Sequence, residues 1–226
     1  MSHSPIHALV VGANRGIGLA LTEALLARGD RVSASCRTAP PAHQATGTRW
    51  IEGVDITQDA GLQRLVKAVD SPIDLLIVNA GVLGSERLGG LDDDALASIR
   101  RQFEVNALAP LRVVAALRHR LPQGSRVGLL TSRMGSISDN TSGGYYGYRM
   151  SKAALNAAGR SLAHDLRNNG IALRLLHPGF VRTDMTGGQG DTDPATAARG
   201  LLARLDELSL AHSGEFWHAQ GQELPW

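Results

Sequence analysis

The chain has 226 residues, 43% of them hydrophobic and 19% charged, with 23 Lys and Arg against 21 Asp and Glu. That suits a globular domain with a full core and excludes a disordered or fibrous chain. A net charge of +2 with no Lys/Arg cluster argues against a nucleic-acid partner, despite a pI near 9.0. The single cysteine, Cys36, rules out an internal disulfide framework and points to a reducing compartment.

The opening MSHSPIHALVVGANRG lacks the basic stretch and long apolar core of a secretory signal. No apolar run approaches the ~18 residues of a membrane span, so the chain reads as cytoplasmic. The eight histidines are scattered, and His212 and His218 are too far apart for a one-face helical pair, so no metal site is expected. No repeat, low-complexity tract or linker divides the chain, and 1–226 reads as one domain.

In chain order, the apolar run 6–11 reads as a buried strand, and 16–28 as a helix closed by Gly29. A strand follows at 31–36, a weaker one at 50–54, an amphipathic helix at 58–69 and a continuous apolar strand at 73–78. Asp92, Asp93 and Asp94 read as the cap and first turn of a helix rather than as metal ligands. Then come a helix over 106–120 kinked or broken near Pro110, a strand at 126–131 and a long helix at 147–167. A buried strand at 171–176, a helix at 194–208 and a short strand at 215–217 close the chain. Strands alternating with helices throughout imply a parallel sheet with helices on both faces, and such sheets bind ligands at the carboxyl ends of their strands.

The candidate site residues do follow strands. After the first come Gly12-Ala13-Asn14-Arg15-Gly16-Ile17-Gly18 and a helix. Such glycines let a backbone turn tightly against a pyrophosphate at a helix N-terminus. The fourth strand ends at Asn79-Ala80-Gly81, where the amide can tie neighbouring strand ends and the glycine leaves room. The fifth ends at Ser132, whose surroundings are not those of a hydrolase nucleophile, leaving a hydrogen-bond donor or a turn cap. Tyr148 and Lys152 stand at i and i+4 on one helix face. A free phenol titrates near ~10, and a nearby cation lowers it into a useful range. Tyr145 and Tyr146 have no lysine at that spacing. Pro178-Gly179 turns the chain after the sixth strand, beside a His177 read as structural.

In this order and spacing, the pieces resemble the short-chain dehydrogenase/reductases over nearly the whole chain. The matching elements are Gly12/Gly16/Gly18, Asp55, Asn79-Ala80-Gly81, Asn106, Ser132, Tyr148-x-x-x-Lys152, Pro178-Gly179 and Val181-x-Thr183. The segments Tyr148-Arg149-Met150-Ser151-Lys152 and Glu223-Leu224-Pro225-Trp226 are similar to the sniffer-type carbonyl reductase and C-factor-like branch. The resemblance implies a single-domain Rossmann-type doubly wound sheet of about seven strands. It implies hydride transfer between a nicotinamide cofactor and a carbonyl or alcohol, with Tyr148 as general acid and base. Lys152 would lower the Tyr148 pKa and hold the ribose, Ser132 would orient the substrate oxygen, and Asn106 would help hold a relay water. Asp55 and Ile56 would meet the adenine, and Thr183 the carboxamide. Asn14, Ile17, Ala80 and Val181 complete the expected cofactor contacts.

Val11 and Val78 stand where the family usually has Thr and often Asn, which touches packing rather than chemistry. The segment 183–194 is short and glycine-rich, so a small or loosely covered substrate pocket is expected. The second strand ends in uncharged Cys36 followed by Arg37, with Arg15 in the glycine loop. Two guanidiniums without a carboxylate suit an adenosine 2′-phosphate and point to NADP(H). A nucleotide-binding signalling protein with little turnover is the alternative. Relatives pair through the helices near Asn106 and Gly147, yet the small branch includes monomers, so homodimer, homotetramer and monomer stay open.

Overall fold

A computed structural model describes residues 4–38 and 46–226. Seven strands form one all-parallel sheet: β1 (His7–Val11), β2 (Arg31–Ser35), β3 (Arg49–Ile51), β4 (Leu75–Val78), β5 (Arg126–Leu130), β6 (Ala172–His177) and β7 (Phe216–His218). Six α-helices connect them: α1 (Gly16–Ala27), α2 (Asp59–Ala68), α3 (Asp93–Phe103), α4 (Ala109–Leu117), α5 (Tyr146–Arg167) and α6 (Pro194–Asp206). The spatial order is β3-β2-β1-β4-β5-β6-β7. The order therefore reverses between β1 and β4, and a crevice opens there beyond the strand ends.

The central strand β4 is apolar end to end, and its neighbours β1 and β5 nearly so, because both faces are covered. Side chains alternate along β1, so Leu9 and Val11 face one layer while Ala8 and Val10 face the other. The first layer packs Leu9, Leu76, Leu129 and Leu175 against Val113 and Leu117 of α4 and Leu155 and Leu162 of α5. The second packs Val10, Ile77 and Leu176 against Leu21 and Leu25 of α1 and Leu201 and Leu205 of α6. Each fully buried Leu contributes roughly 1.5–3 kcal/mol.

The doubly wound architecture matches the expectation, with strand ends shifted by one or two residues except at β3, which stops three residues short of the expected 54. The helix expected over 106–120 differs. It is the far end of a longer rod in which α3 runs into a π-helical turn at Glu104–Leu108 and then into α4. Pro110 has no N–H for the carbonyl four residues back, so the ladder widens just before it. Asn106 lies inside that wide turn, fully buried.

Candidate active site

A cleft of about 430 Å³ lies over the strand ends at the switch point. Gly12, Asn14, Arg15, Gly16, Ile17, Arg37, Asp55, Ile56, Asn79, Ala80, Gly81, Tyr148, Lys152, Pro178 and Thr183 all line it. Of the other expected residues, Gly18, Asn106, Ser132, Gly179 and Val181 are not among those that line it. Val181 is buried and bridged to Thr192.

The glycine loop is shaped by close approach. Gly12 has φ +84°, and a Cβ there would sit 2.8 Å from that of Ala80. A Cβ on Gly18 would lie 2.1 Å from the Gly12 carbonyl oxygen and 2.6 Å from Asn79 Nδ2. Asn79 Nδ2 donates to that same carbonyl at 2.6 Å, tying the end of β4 to the loop after β1. No side chain caps α1 and no acidic residue stands in its first turn, so its positive end faces the cleft.

At the adenosine end expected for a dinucleotide, Asp55 accepts from the Thr57 hydroxyl at 2.7 Å and the Thr57 N–H at 3.0 Å. The hydroxyl above all, with Arg37 nearby, holds its carboxyl below the usual range. Arg15 corrects the expectation of two guanidiniums free of carboxylates. Its Nη1 pairs with Asp184 Oδ2 at 3.1 Å, across the cleft and 169 residues away. Arg37 lines the cleft wall as expected.

Tyr148 and Lys152 share one face of α5. Burial lowers the Lys152 pKa to about 8. Its Nζ donates to the Leu130 carbonyl at 2.8 Å and lies 5.8 Å from the Tyr148 ring centroid. Burial also pushes the Tyr148 phenol up, and a hydrogen bond with Ser132 pulls part of that back. The phenol is therefore raised by desolvation rather than lowered as expected from Lys152. Ser132 is buried, and its Oγ accepts from the Met134 N–H at 3.2 Å, so it caps a turn while facing the phenol. Gly135 lets that turn press on α5, since a Cβ there would meet the Lys152 backbone at 2.8 Å.

Asn106 acts as a brace. Its Oδ1 accepts from the Val82 N–H at 2.8 Å, and its Nδ2 donates to the Val82 carbonyl at 2.8 Å and to Ser151 Oγ at 3.0 Å. Ser151 in turn donates to the Tyr148 carbonyl at 3.0 Å. A Cβ on Gly81 would lie 3.3 Å from Asn106 Oδ1 and 3.6 Å from Lys152 Nζ, so its missing side chain leaves both atoms reachable.

Sequence reasoning missed several lining residues, among them Thr57, Val82, Asp184 and Met185, and used Cys36 only as the uncharged end of the second strand. Cys36 carried a signal, its place after β2. Asp184 carried none, because its partner Arg15 is distant in sequence. The segment after β6 forms a short turn at Asp184–Thr186, with Thr183 and Met185 against the cleft. Among the described residues no cluster of His, Cys, Asp and Glu could hold a metal ion, and no helix is long and apolar enough to cross a membrane.

A glycine loop at the switch point of a doubly wound sheet, beside a Tyr–Lys pair in the same cleft, defines a Rossmann-type oxidoreductase domain. The pattern of the short chain dehydrogenases matches residues 6–194, and the chain belongs to that family. It is 41% identical over 225 residues to a 1-hydroxy-2-glutathionyl-2-methyl-3-butene dehydrogenase from Rhodococcus sp. (strain AD45), covering 96% of this chain and 98% of that one. It is 50% identical over 158 residues to the C-signal protein of Myxococcus xanthus, covering 69% of this chain and 93% of the other. The carbonyl reductase Sniffer of D. melanogaster and an NADPH-bound carbonyl reductase from chicken fatty liver superpose with TM-scores of 0.87 and 0.88. Each is 28% identical, with 99% of this chain and 100% of the other covered. The sniffer and C-factor-like branch expected from the sequence is thus borne out.

Proposed function

We propose that this chain is an NADP(H)-dependent oxidoreductase that interconverts a carbonyl and an alcohol, with Tyr148 as general acid and base. The observation carrying the reading is convergence on one cleft of the glycine loop, Arg37 and the Tyr148–Lys152 face of α5. The cofactor fits the residues present: the approach of Gly12 to Ala80 leaves a bare backbone wall, and the uncapped start of α1 suits phosphate. The NADPH-bound neighbour supports the same choice.

Gly12, Asn14, Arg15, Gly16 and Ile17 would hold the pyrophosphate, with Gly18 leaving the room they need. Arg37 would hold the 2′-phosphate, Asp55 and Ile56 the adenine, and Asn79, Ala80 and Gly81 the wall behind the ribose. Pro178, Gly179, Val181 and Thr183 would shape the carboxamide end. When bound, the nicotinamide supplies hydride to a carbonyl carbon or takes it from an alcohol.

Ser132 would donate its hydroxyl proton to the substrate oxygen, since its own oxygen already accepts from Met134. Tyr148 would deliver its phenolic proton to that oxygen. Burial keeps the phenol protonated at neutral pH, which suits an acid, and the Lys152 ammonium stabilises the phenolate left behind. A water seated at Gly81, between Asn106 Oδ1 and Lys152 Nζ, would return the proton.

The direct test is NADPH oxidation against a panel of aldehydes, ketones and quinones. Turnover of at least one class is expected. The 50% identity to the C-signal protein favours a second reading, a nucleotide-binding signalling protein. Tight NADPH binding without turnover across the panel would select it.

A further inference from the structure

The helix that carries Tyr148 and Lys152 starts without a cap of its own. Its N-cap residue is Tyr145, whose φ of 52° makes it the one non-glycine in the left-handed region among the described residues. No side chain of that segment caps the first turn, and no acidic residue stands in it. The acceptor comes from the loop after β4. Glu86 Oε2 accepts from the Gly147 N–H at 3.1 Å, and the Glu86 carbonyl accepts from the Tyr145 N–H at 2.9 Å.

Glu86 is only 8% exposed, a rare setting for a carboxylate. Its Oε1 accepts from the Ser98 hydroxyl at 2.7 Å and from Gln102 Nε2 at 2.6 Å, both on α3. The Gln102 amide cannot turn, because its Oε1 accepts from the Gly84 N–H at 2.9 Å. Burial pushes the Glu86 pKa up, but these donors outweigh it, and the group stays ionised. The negative charge therefore sits where the dipole of α5 favours it. The contact is tight as well, since a Cβ on Gly147 would lie 2.4 Å from Gln102 Nε2. Merely packing α3 on α5 needs no buried charge, and apolar side chains of like volume do it as well or better.

We propose that Glu86 is a positioning residue for proton transfer: it caps α5 from outside the helix and fixes where Tyr148 stands in the cleft. Gly147, the residue it grips, directly precedes Tyr148. The inference rests on the reading of Tyr148 as the acid.

The test exchanges the two partners. Glu86→Gln keeps the size but offers one acceptor oxygen to three donors, so either Gly147 or Gln102 faces an N–H. In the folded variant kcat should fall about tenfold while the NADPH Kd stays within about twofold, since small misplacements cost rate rather than cofactor binding. Gln102→Glu alone sets two carboxylates against each other and should be slower still. Combining Glu86→Gln with Gln102→Glu reverses the bond between the two side chains and keeps the Gly147 and Gly84 N–H bonds, losing only the long bond from residue 102 to the Ser98 carbonyl. The new amide donates to the new carboxylate, its oxygen takes the Gly147 N–H, and the Ser98 hydroxyl turns. That double variant should return to within about threefold of the parent kcat, a coupling that independent sites would not show.

Parental kcat in Glu86→Gln, or a folded double variant as slow as the single one, would overturn the proposal. If Glu86→Gln fails to fold, the double variant decides alone: parental kcat supports positioning and a slow folded enzyme sinks it. Tyr148→Phe separates the two claims. An active Tyr148→Phe removes the acid and the positioning together, whereas an inactive one beside a parental Glu86→Gln removes only the positioning.

Discussion

The helices of this fold begin in two ways. α3 and α6 carry their own caps: Asp92 accepts from the Ala95 N–H at 2.9 Å, and Asp193 from the Thr196 N–H at 2.8 Å. α1, α2, α4 and α5 carry none, and of these α1 and α5 present Gly16, Ile17 and Tyr148 to the cleft. A helix end with a local cap is a self-sufficient piece of structure. At the cleft an end without one is completed from elsewhere, by the long-range carboxylate of Glu86 at α5 and by an anionic ligand as the reading for α1. The start of the helix that carries Tyr148 is thus placed by a distant part of the chain.

The sharpest break of that comparison lies at α5. Tyr148→Phe removes one oxygen and keeps the ring, so folding and NADPH binding should survive while turnover falls by about 100-fold or more. Tyr146→Phe, on the same turn, should leave the rate near parental. Equal losses in the two would place the acid elsewhere. Lys152→Met should weaken both cofactor binding and rate, and it carries a pH signature. With its pKa lowered to about 8, Lys152 is charged below that value and neutral above it. Carbonyl reduction should therefore slow as pH rises through that point, because the phenolate loses its cation. In Lys152→Met that inflection should vanish and the remaining alkaline limb move upward, the phenol having lost its charged neighbour. The same inflection in a still-active variant would remove Lys152 from proton transfer.

What could be read from the sequence divides along the same line. The central strands are legible because both faces are buried and their apolar runs are nearly continuous, and the cap and first turn at Asp92 to Asp94 because they sit beside their helix. The Tyr148–Lys152 pair was legible because i and i+4 share a face whatever the tertiary fold. Asn106 reads from the sequence as the start of a helix but lies inside a π-helical turn, since a widened turn leaves no periodic mark. Glu86 and the Arg15–Asp184 pair were not legible at all. Glu86 meets Gly147 across 61 residues and Arg15 meets Asp184 across 169, contacts that only the folded sheet creates.

At the open end of α1 the expected effects are smaller and concern cofactor choice. Arg37→Ala should weaken NADPH by about 1.5–3 kcal/mol and leave NADH nearly unchanged, the worth of a hydrogen bond to a charged group. Arg15→Ala should cost less, because Arg15 must first leave Asp184. Asp184→Asn should free Arg15 and tighten NADPH by up to ~1 kcal/mol, the range of an exposed ion pair. Added salt should narrow the preference, since these charges are solvent-exposed. Equal affinity of the parent for NADPH and NADH at low salt would end the 2′-phosphate assignment and leave the family untouched.

The smallest effect belongs to the self-capped end. Asp92→Ala removes the acceptor for the Ala95 N–H, an exposed bond at the start of α3. A lost cap of this kind costs about 1 kcal/mol. For a chain of this size that lowers Tm by about 2–4 °C. Asp93 and Asp94 remain in the first turn to oppose the helix dipole, so the change should stay at the low end. Ser98 and Gln102, which grip Glu86, lie further along α3, beyond a frayed first turn. The kcat and the NADPH Kd should therefore match the parent even as Tm falls. Glu86→Gln should do the reverse, lowering kcat out of proportion to any loss of Tm. If Asp92→Ala slowed turnover as much as Glu86→Gln, the start of α3 would be coupled to the acid, and the contrast between local and distant caps would lose its meaning.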